Sequence, residues 1–281
     1  MLSPNRKGPL CMMAAAICWS FGGLCIKYVP WGAMSIIGLR ALLAAAVFAA
    51  YRRSARVNIT PGNVLAAICL AGTTILFVFA NKLTTAAAAI VLQFSAPVFI
   101  ILLQLLFYRI KPKLGEIAAV AATLAGILFF FADKLEPGGA LGNLLALAAG
   151  LAFAGVFVCN ARPDADPEQS LMLGFFIAAA IGLPFAPFEV STDPAAWGAI
   201  AFLGLVQVGL AYVFFSIGIK KTPALLACLI TAIEPVLNPV WVALATGEVP
   251  GPYALAGGVV IVASVAGYSA WVEKRRARAH R

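Results

Sequence analysis

Two ionisable side chains fall deep inside long apolar stretches of this sequence, Arg40 and Glu234. A charge at the centre of a membrane-length helix costs about 2.5–3.5 kcal/mol on insertion scales, so such groups face an interior cavity or one another. Glu234 could bind a cationic group or exchange a proton with a substrate. Arg40 could hold an anionic group, tie to Glu234 as a structural ion pair, bond to a backbone carbonyl or snorkel outward. Helical spacing places Thr231, Asn238 and Trp241 on the face of Glu234. Pro235 and Pro239 interrupt the hydrogen-bond ladder beside it, which hydrocarbon tolerates only next to protein or a cavity.

Similar stripes recur. Gln93, Pro97 and Gln104 share one face, Thr74, Phe77 and Asn81 another, and Gln207 with Phe214 a third. Each amide alone suits interhelical glue, worth about 0.6 kcal/mol; together with the prolines the stripes predict a polar central cavity. Trp19 lies about twelve residues into its stretch, well below the interfacial belt, and is a candidate cavity wall. Trp31, Trp197 and Trp271 are expected as interfacial anchors instead. An aromatic wall suits apolar side chains or, through cation–π contact, a quaternary ammonium. The expected substrate-binding set is therefore Glu234, Trp19, Gln93, Thr231, Asn238 and Arg40, with Glu234 also coupling protons and no cofactor, metal or catalytic group.

These residues must be positioned by helices. Ten apolar stretches, 8–28, 31–51, 61–81, 84–108, 114–132, 141–161, 168–188, 194–217, 222–246 and 252–272, each have roughly the length that spans hydrocarbon. The expected class is an all-α polytopic membrane protein with the lipid bilayer as solvent. Composition agrees, at 63% hydrophobic and 11% charged, where soluble chains carry about a quarter charged residues. Connections this short leave no segment for a soluble nucleotide-binding or catalytic domain, which argues against an ATP-driven pump. Trp19 and Lys27 stand where a signal peptide would want small cleavage-site residues, so the first stretch reads as an uncleaved helix. All six cysteines lie within spans without metal or redox spacing and read as packing residues.

The net charge of +9 is distributed by loop. With a cytoplasmic N-terminus, sixteen basic residues fall on the cytoplasmic side and three, Lys27, Lys82 and Lys134, on the other. The positive-inside rule then places both termini in the cytoplasm, in a cell membrane expected to be the bacterial inner membrane. This pattern accounts for the basicity without nucleic acid; the basic tail serves as a topology anchor or an anionic-lipid contact.

Shifting the chain by 138 residues aligns Lys82 with Lys220, Thr84 with Thr222, Pro97 with Pro235 and Pro112 with Pro250. Five spans separate the copies, and an odd number turns the second over relative to the first. Loop charges follow, with Arg52, Arg53 and Arg56 after the second span but Glu189 and Asp193 after the seventh. The expected organisation is two inverted five-helix repeats, 1–137 and 138–281, an architecture of transporters that bind substrate between halves and alternate access by rocking. Glu234 falls opposite Ala96 and Arg40 opposite Ala178, so both charges break the symmetry. Small residues at Ala118, Ala122, Gly126, Ala263 and Gly267 assign spans five and ten to packing or dimer contact, leaving monomer or homodimer open.

The segments CWSFGGLCIKY with Trp19 and Lys27, GLRALLAA with Arg40, TTAAAAIVLQFSAPVFIILL, and TPALLACLITAIEPVLNPVWVALATGEVP with Glu234-Pro235 and Gly247-Glu248 resemble the EamA-type carriers of the drug/metabolite transporter superfamily. The resemblance spans essentially the whole chain. One departure is Arg109-Ile110, where such carriers often have a Gly-Glu or similar acidic pair. The resemblance implies secondary transport of small metabolites, often amino-acid export, through a cavity between ten-span inverted repeats. One cation and one carboxylate suit a zwitterion such as an amino acid; Glu234 with Trp19 suits uptake of a choline-like cation. An intramembrane enzyme is disfavoured because the single histidine, His280, lies in the tail and one carboxylate alone is deep. A channel remains a further alternative, distinguished by non-saturable flux.

Overall fold

A computed structural model describes residues 4–130, 139–237, 241 and 252–279, whose regular structure is all helical, with no strand among them. The chain runs through α1 (Pro4–Trp19), α2 (Gly22–Tyr28), α3 (Ala33–Arg52), α4 (Pro61–Leu83), α5 (Ala86–Gln93), α6 (Ala96–Tyr108) and α7 (Leu114–Phe130). The second half follows with α8 (Ala140–Cys159), α9 (Pro167–Gly182), α10 (Ala186–Glu189), α11 (Pro194–Phe202), α12 (Ala211–Ile219), α13 (Ala224–Thr231) and α14 (Pro252–Ala279). A 3-10 turn, Leu183–Phe185, joins α9 to α10, and a π-helical stretch, Leu203–Leu210, joins α11 to α12. Among the described residues, seven helical runs are long and apolar enough to cross a bilayer.

Local chemistry sets several starts. Thr60, Asp166 and Asp193 each cap a helix through a side-chain oxygen and are followed by proline at the first helical position. A capping acceptor satisfies an orphan amide, and proline there loses nothing because its amide would be unpaired. At the other ends of α3 and α6, Arg53 and Arg109 adopt left-handed backbone with φ of 52° and 53°. Glycine takes that conformation without strain, whereas a side chain such as arginine meets a steric cost there.

Packing repeats between the halves. α4 lies on α8 and α9, while the α11–α12 run lies on α1 and α3. Two pairs are formed by counterparts, α3 with α9 and α7 with α14. Where α3 crosses α9, a Cβ on Gly38 would strike the backbone of Gly182 and Leu183, so glycine is what permits the close approach. The α7–α14 seam carries the Thr123–Ser264 hydroxyl contact at 3.0 Å and a bond from Ser264 to the Ala119 carbonyl. The small residues of α7 thus abut a neighbour within the same chain.

Polar clasps tie loops and helix ends together at both ends of the bundle. At one, Ser35 donates to Glu189 at 2.6 Å, Lys82 donates to the Val29 carbonyl at 2.7 Å, and the Trp31 indole donates to Ser191 at 2.9 Å. Trp31 is 3% exposed, so this expected interfacial anchor is buried instead, edge-on against Trp197. At the other end, Thr60 donates to the Asp164 carbonyl and the Gly62 amide to its carboxylate, at 2.7 and 2.8 Å. Lys220 there reaches Glu168 at 2.9 Å and Asp166 at 3.2 Å.

Arg162 donates to Asp164 at 2.9 Å and, with the Gly62 amide, holds that carboxyl below the usual carboxylate range. Because its folded value is depressed, Asp164 adds stability that is complete above the unfolded value, about 3.9. That stability is lost as pH falls through the lower folded value. The melting temperature of the parent should therefore fall more steeply below pH of about 4 than that of Asp164→Asn; parallel curves would remove this group from the acid transition.

Candidate functional site

Three of the expected spans are broken rather than continuous. α1 stops at Trp19 and α2 resumes at Gly22; α5 stops at Gln93 and α6 resumes at Ala96; α13 stops at Thr231 and helix resumes over 233–237. Proline explains the latter two. Pro97 and Pro235 have no amide hydrogen, so the carbonyls four residues earlier, Gln93 and Thr231, lose their helical donors. In the register that pairs the two prolines, these breaks fall at equivalent positions. Gly150 of α8 sits where a Cβ would lie 2.8 Å from the Gln93 carbonyl, so α8 packs directly on one break. At the first break Ser20 donates to the Ile17 carbonyl at 2.6 Å and accepts from the Trp241 indole at 2.7 Å.

A cavity of about 50 Å³ lies among these breaks. Its polar lining comes from Arg40 on α3, Thr73 and Thr74 on α4, Gln93 on α5, Gln207 in the π-helical stretch and Glu234. The aromatic lining comes from Trp19, Phe77, Phe153 and Tyr212. Four of the six sequence-derived candidates, Trp19, Arg40, Gln93 and Glu234, thus share one space. Thr231 is buried outside this lining, its hydroxyl donating to the Cys228 carbonyl at 2.6 Å. Asn238 lies outside the described residues, as do Pro239, Gly247 and Glu248.

The electrostatics are unusual for a membrane interior. Arg40 is 4% exposed, and its Nε has no hydrogen-bond partner among the described residues. No ion pair joins it to Glu234 among the described residues. Gln207 donates to the Trp19 carbonyl at a long 3.4 Å, while its Oε1 has no partner among the described residues. Tyr212 is within electrostatic reach of both Arg40 and Glu234. A buried polar atom without a partner costs about 1–3 kcal/mol, more for a charge, so these groups favour a polar occupant, water included.

Aromatic packing fixes the opposite wall. Trp19 contacts Tyr212 at 4.9 Å, Phe215 at 5.6 Å and Phe153 at 5.8 Å between ring centroids. Tyr212 continues to Phe175, and Phe175 to Phe48 on α3. Rings from α1, α8, α9, α12 and α3 thereby interlock in one cluster.

Sequence spacing missed Tyr212 and paired Gln207 with Phe214. An α-helical period brings seventh residues together, whereas the π-helical stretch advances by five per bond. Tyr212, five after Gln207, therefore joins the lining. Gln104 and Asn81 of the other stripes stay outside it; Asn81 donates to the Phe77 carbonyl at 3.1 Å. Phe153 and Thr73 carry no signal that an apolar run would reveal.

The EamA-like transporter family matches this chain twice, over residues 6–132 and 140–270. Among curated proteins, the chain is 26% identical to the "Uncharacterized transporter YwfM" of Bacillus subtilis, covering 75% of this chain and 74% of that one. An "Uncharacterized transporter" of Archaeoglobus fulgidus is 28% identical, over 67% of this chain and 69% of its own. A solved crystal structure superposes with a TM-score of 0.79 over 96% of this chain and 98% of that one. At 22% identity that likeness shows the fold.

Truncating Trp19 to alanine should remove the hub of the aromatic cluster and cost about 3–5 kcal/mol. Trp19→Phe should retain most of that stability. Thermal unfolding in detergent checks both, and equal melting temperatures for the parent and Trp19→Ala would show that the ring is not a packing hub.

Proposed function

This chain belongs to the EamA-like transporter family, and on that premise we propose that it exports amino acids or similar small metabolites by alternating access through the cavity between its two repeats. The protein is a multi-pass membrane transporter and not an enzyme. The proposed arrangement is ten spans in inverted repeats, 1–137 and 138–281, with both termini in the cytoplasm of a bacterial inner membrane. Span one is then α1–α2, span four α5–α6, span eight α11–α12, and α14 is span ten. The paired packing of the two halves supports this assignment.

The observation that carries the substrate reading is that Arg40 and Glu234 line one small cavity without an ion pair between them. A zwitterion satisfies both at once, its carboxylate on the guanidinium and its ammonium on the carboxylate, by charge-assisted hydrogen bonds. The remaining amides and hydroxyls can hold its backbone-like atoms. Protonation of Glu234 would release the ammonium and couple transport to a proton gradient.

Volume sets the conformational requirement. The cavity of about 50 Å³ is small beside ligand pockets, which run to about 300–1,000 Å³. This conformation is therefore a contracted one, and substrate entry must move helices apart at the breaks. The aromatic wall favours a second reading, uptake of a quaternary ammonium held by Trp19, Tyr212 and Glu234 through cation–π contact.

Purified protein in liposomes, supplied with labelled amino acids or choline under a pH gradient, separates these readings. Saturable amino-acid flux lost in both Glu234→Gln and Arg40→Gln supports the zwitterion, each substitution costing about 2–5 kcal/mol of substrate affinity. Choline flux that needs Glu234 but survives Arg40→Gln establishes the quaternary ammonium instead. Undiminished flux in a folded Glu234→Gln variant would reduce this carboxyl to a structural contact.

A further inference from the structure

Cys69 and Cys159 are free thiols on different helices, one in each of the two family-matched segments. Nothing in their sequence spacing pairs them, yet α4 and α8 are packed side by side. A Cβ placed on Gly155 would lie 2.5 Å from Cys69 Sγ, so this thiol rests directly on the α8 backbone. Cys159 is one helical turn beyond Gly155 and presents from the same face. The two thiols lie within interaction range of one another. Disulfides need Cβ atoms about 3.5–4.5 Å apart, and the glycine at the crossing lets α4 and α8 approach closely.

We propose that Cys69 and Cys159 are a dithiol site for a two-electron oxidant, which closes them into a disulfide linking the first repeat to the second. With a peroxide, one sulfur is oxidised and the second displaces water from it, so that two thiols and hydrogen peroxide give one S–S bond and two waters. With an azodicarboxamide, the two thiol hydrogens end on the two nitrogens and a hydrazine leaves. Such a bond spans the seam along which α4 and α8 would shear if the repeats rock. That functional consequence rests on the alternating-access reading above; the oxidation itself does not. In a reducing cytoplasm such a bond would be transient and regulatory rather than structural.

The test treats full-length protein in lipid with diamide, blocks residual thiols with N-ethylmaleimide, and maps linked peptides by mass spectrometry. The expected result is loss of two hydrogens per chain, a Cys69–Cys159 peptide, reversal by dithiothreitol, and no mass loss in Cys69→Ser or Cys159→Ser. Linkage of other cysteines overturns the proposal. So does an unchanged native chain when the same oxidant acts on protein unfolded in detergent, because that outcome shows competent reagent and unpaired thiols. Flux of labelled alanine and choline is then followed before oxidation, after it, and after reduction. Flux lost on oxidation and regained on reduction shows that the staple blocks movement. If neither label crosses in the parent, the transport reading fails while the peptide map still decides the dithiol.

Discussion

Hydrocarbon cannot satisfy an open backbone hydrogen bond, and much of this architecture follows from where the chain withholds one. Pro97 and Pro235 deprive the Gln93 and Thr231 carbonyls of their donors, and α1 ends abruptly at Trp19. Breaks of this kind must turn inward, toward other helices or enclosed polar space. The same demand falls on Arg40 and Glu234, so helix ends and charges share one interior. Gly22 and Gly150 admit the neighbours that crowd the breaks, since a Cβ on either would meet Gln207 or the Gln93 carbonyl. The polar centre is thus a consequence of backbone chemistry as much as of side-chain choice.

Around that centre the two halves use one packing scheme with different residues. α4 against α8 and α12 against α1 are corresponding seams, but the first brings two cysteines together and the second sets Gly218 against Met12. Both charged cavity residues lack counterparts in the repeat register, where Ala96 and Ala178 stand opposite. Symmetry in the scaffold with asymmetry in the lining lets two similar frames enclose one unsymmetrical polar space.

What was legible in the sequence was what hydrocarbon penalises. Arg40, Glu234, Gln93 and Trp19 stand out because a charge, an amide or a deep indole in an apolar run needs a reason, and all four line the cavity. Helix length and apolar runs likewise mark the bundle and its twofold family match. Positions set by departures from ideal helix were not legible. Thr231 shares the face of Glu234 only if the helix is continuous, and the turn at Ala232 changes that register. Tyr212 depends on a π-helical stretch that a constant period does not anticipate. Trp31 looked interfacial because its partner Ser191 comes from a distant loop.

Lys220 bridges Asp166 and Glu168 with side chains about a third exposed, from 28% to 44%. The Debye length shrinks from about 10 Å at 0.1 M salt to about 3 Å at 1 M, and exposed pairs are worth at most roughly 1 kcal/mol. This clasp is therefore set partly by the bathing solution, while its hydrogen-bonded neighbours at Thr60 and Gly62 belong to the chain. Ionic strength on that face acts as an external dial on how firmly the start of α9 is tied to the end of α12.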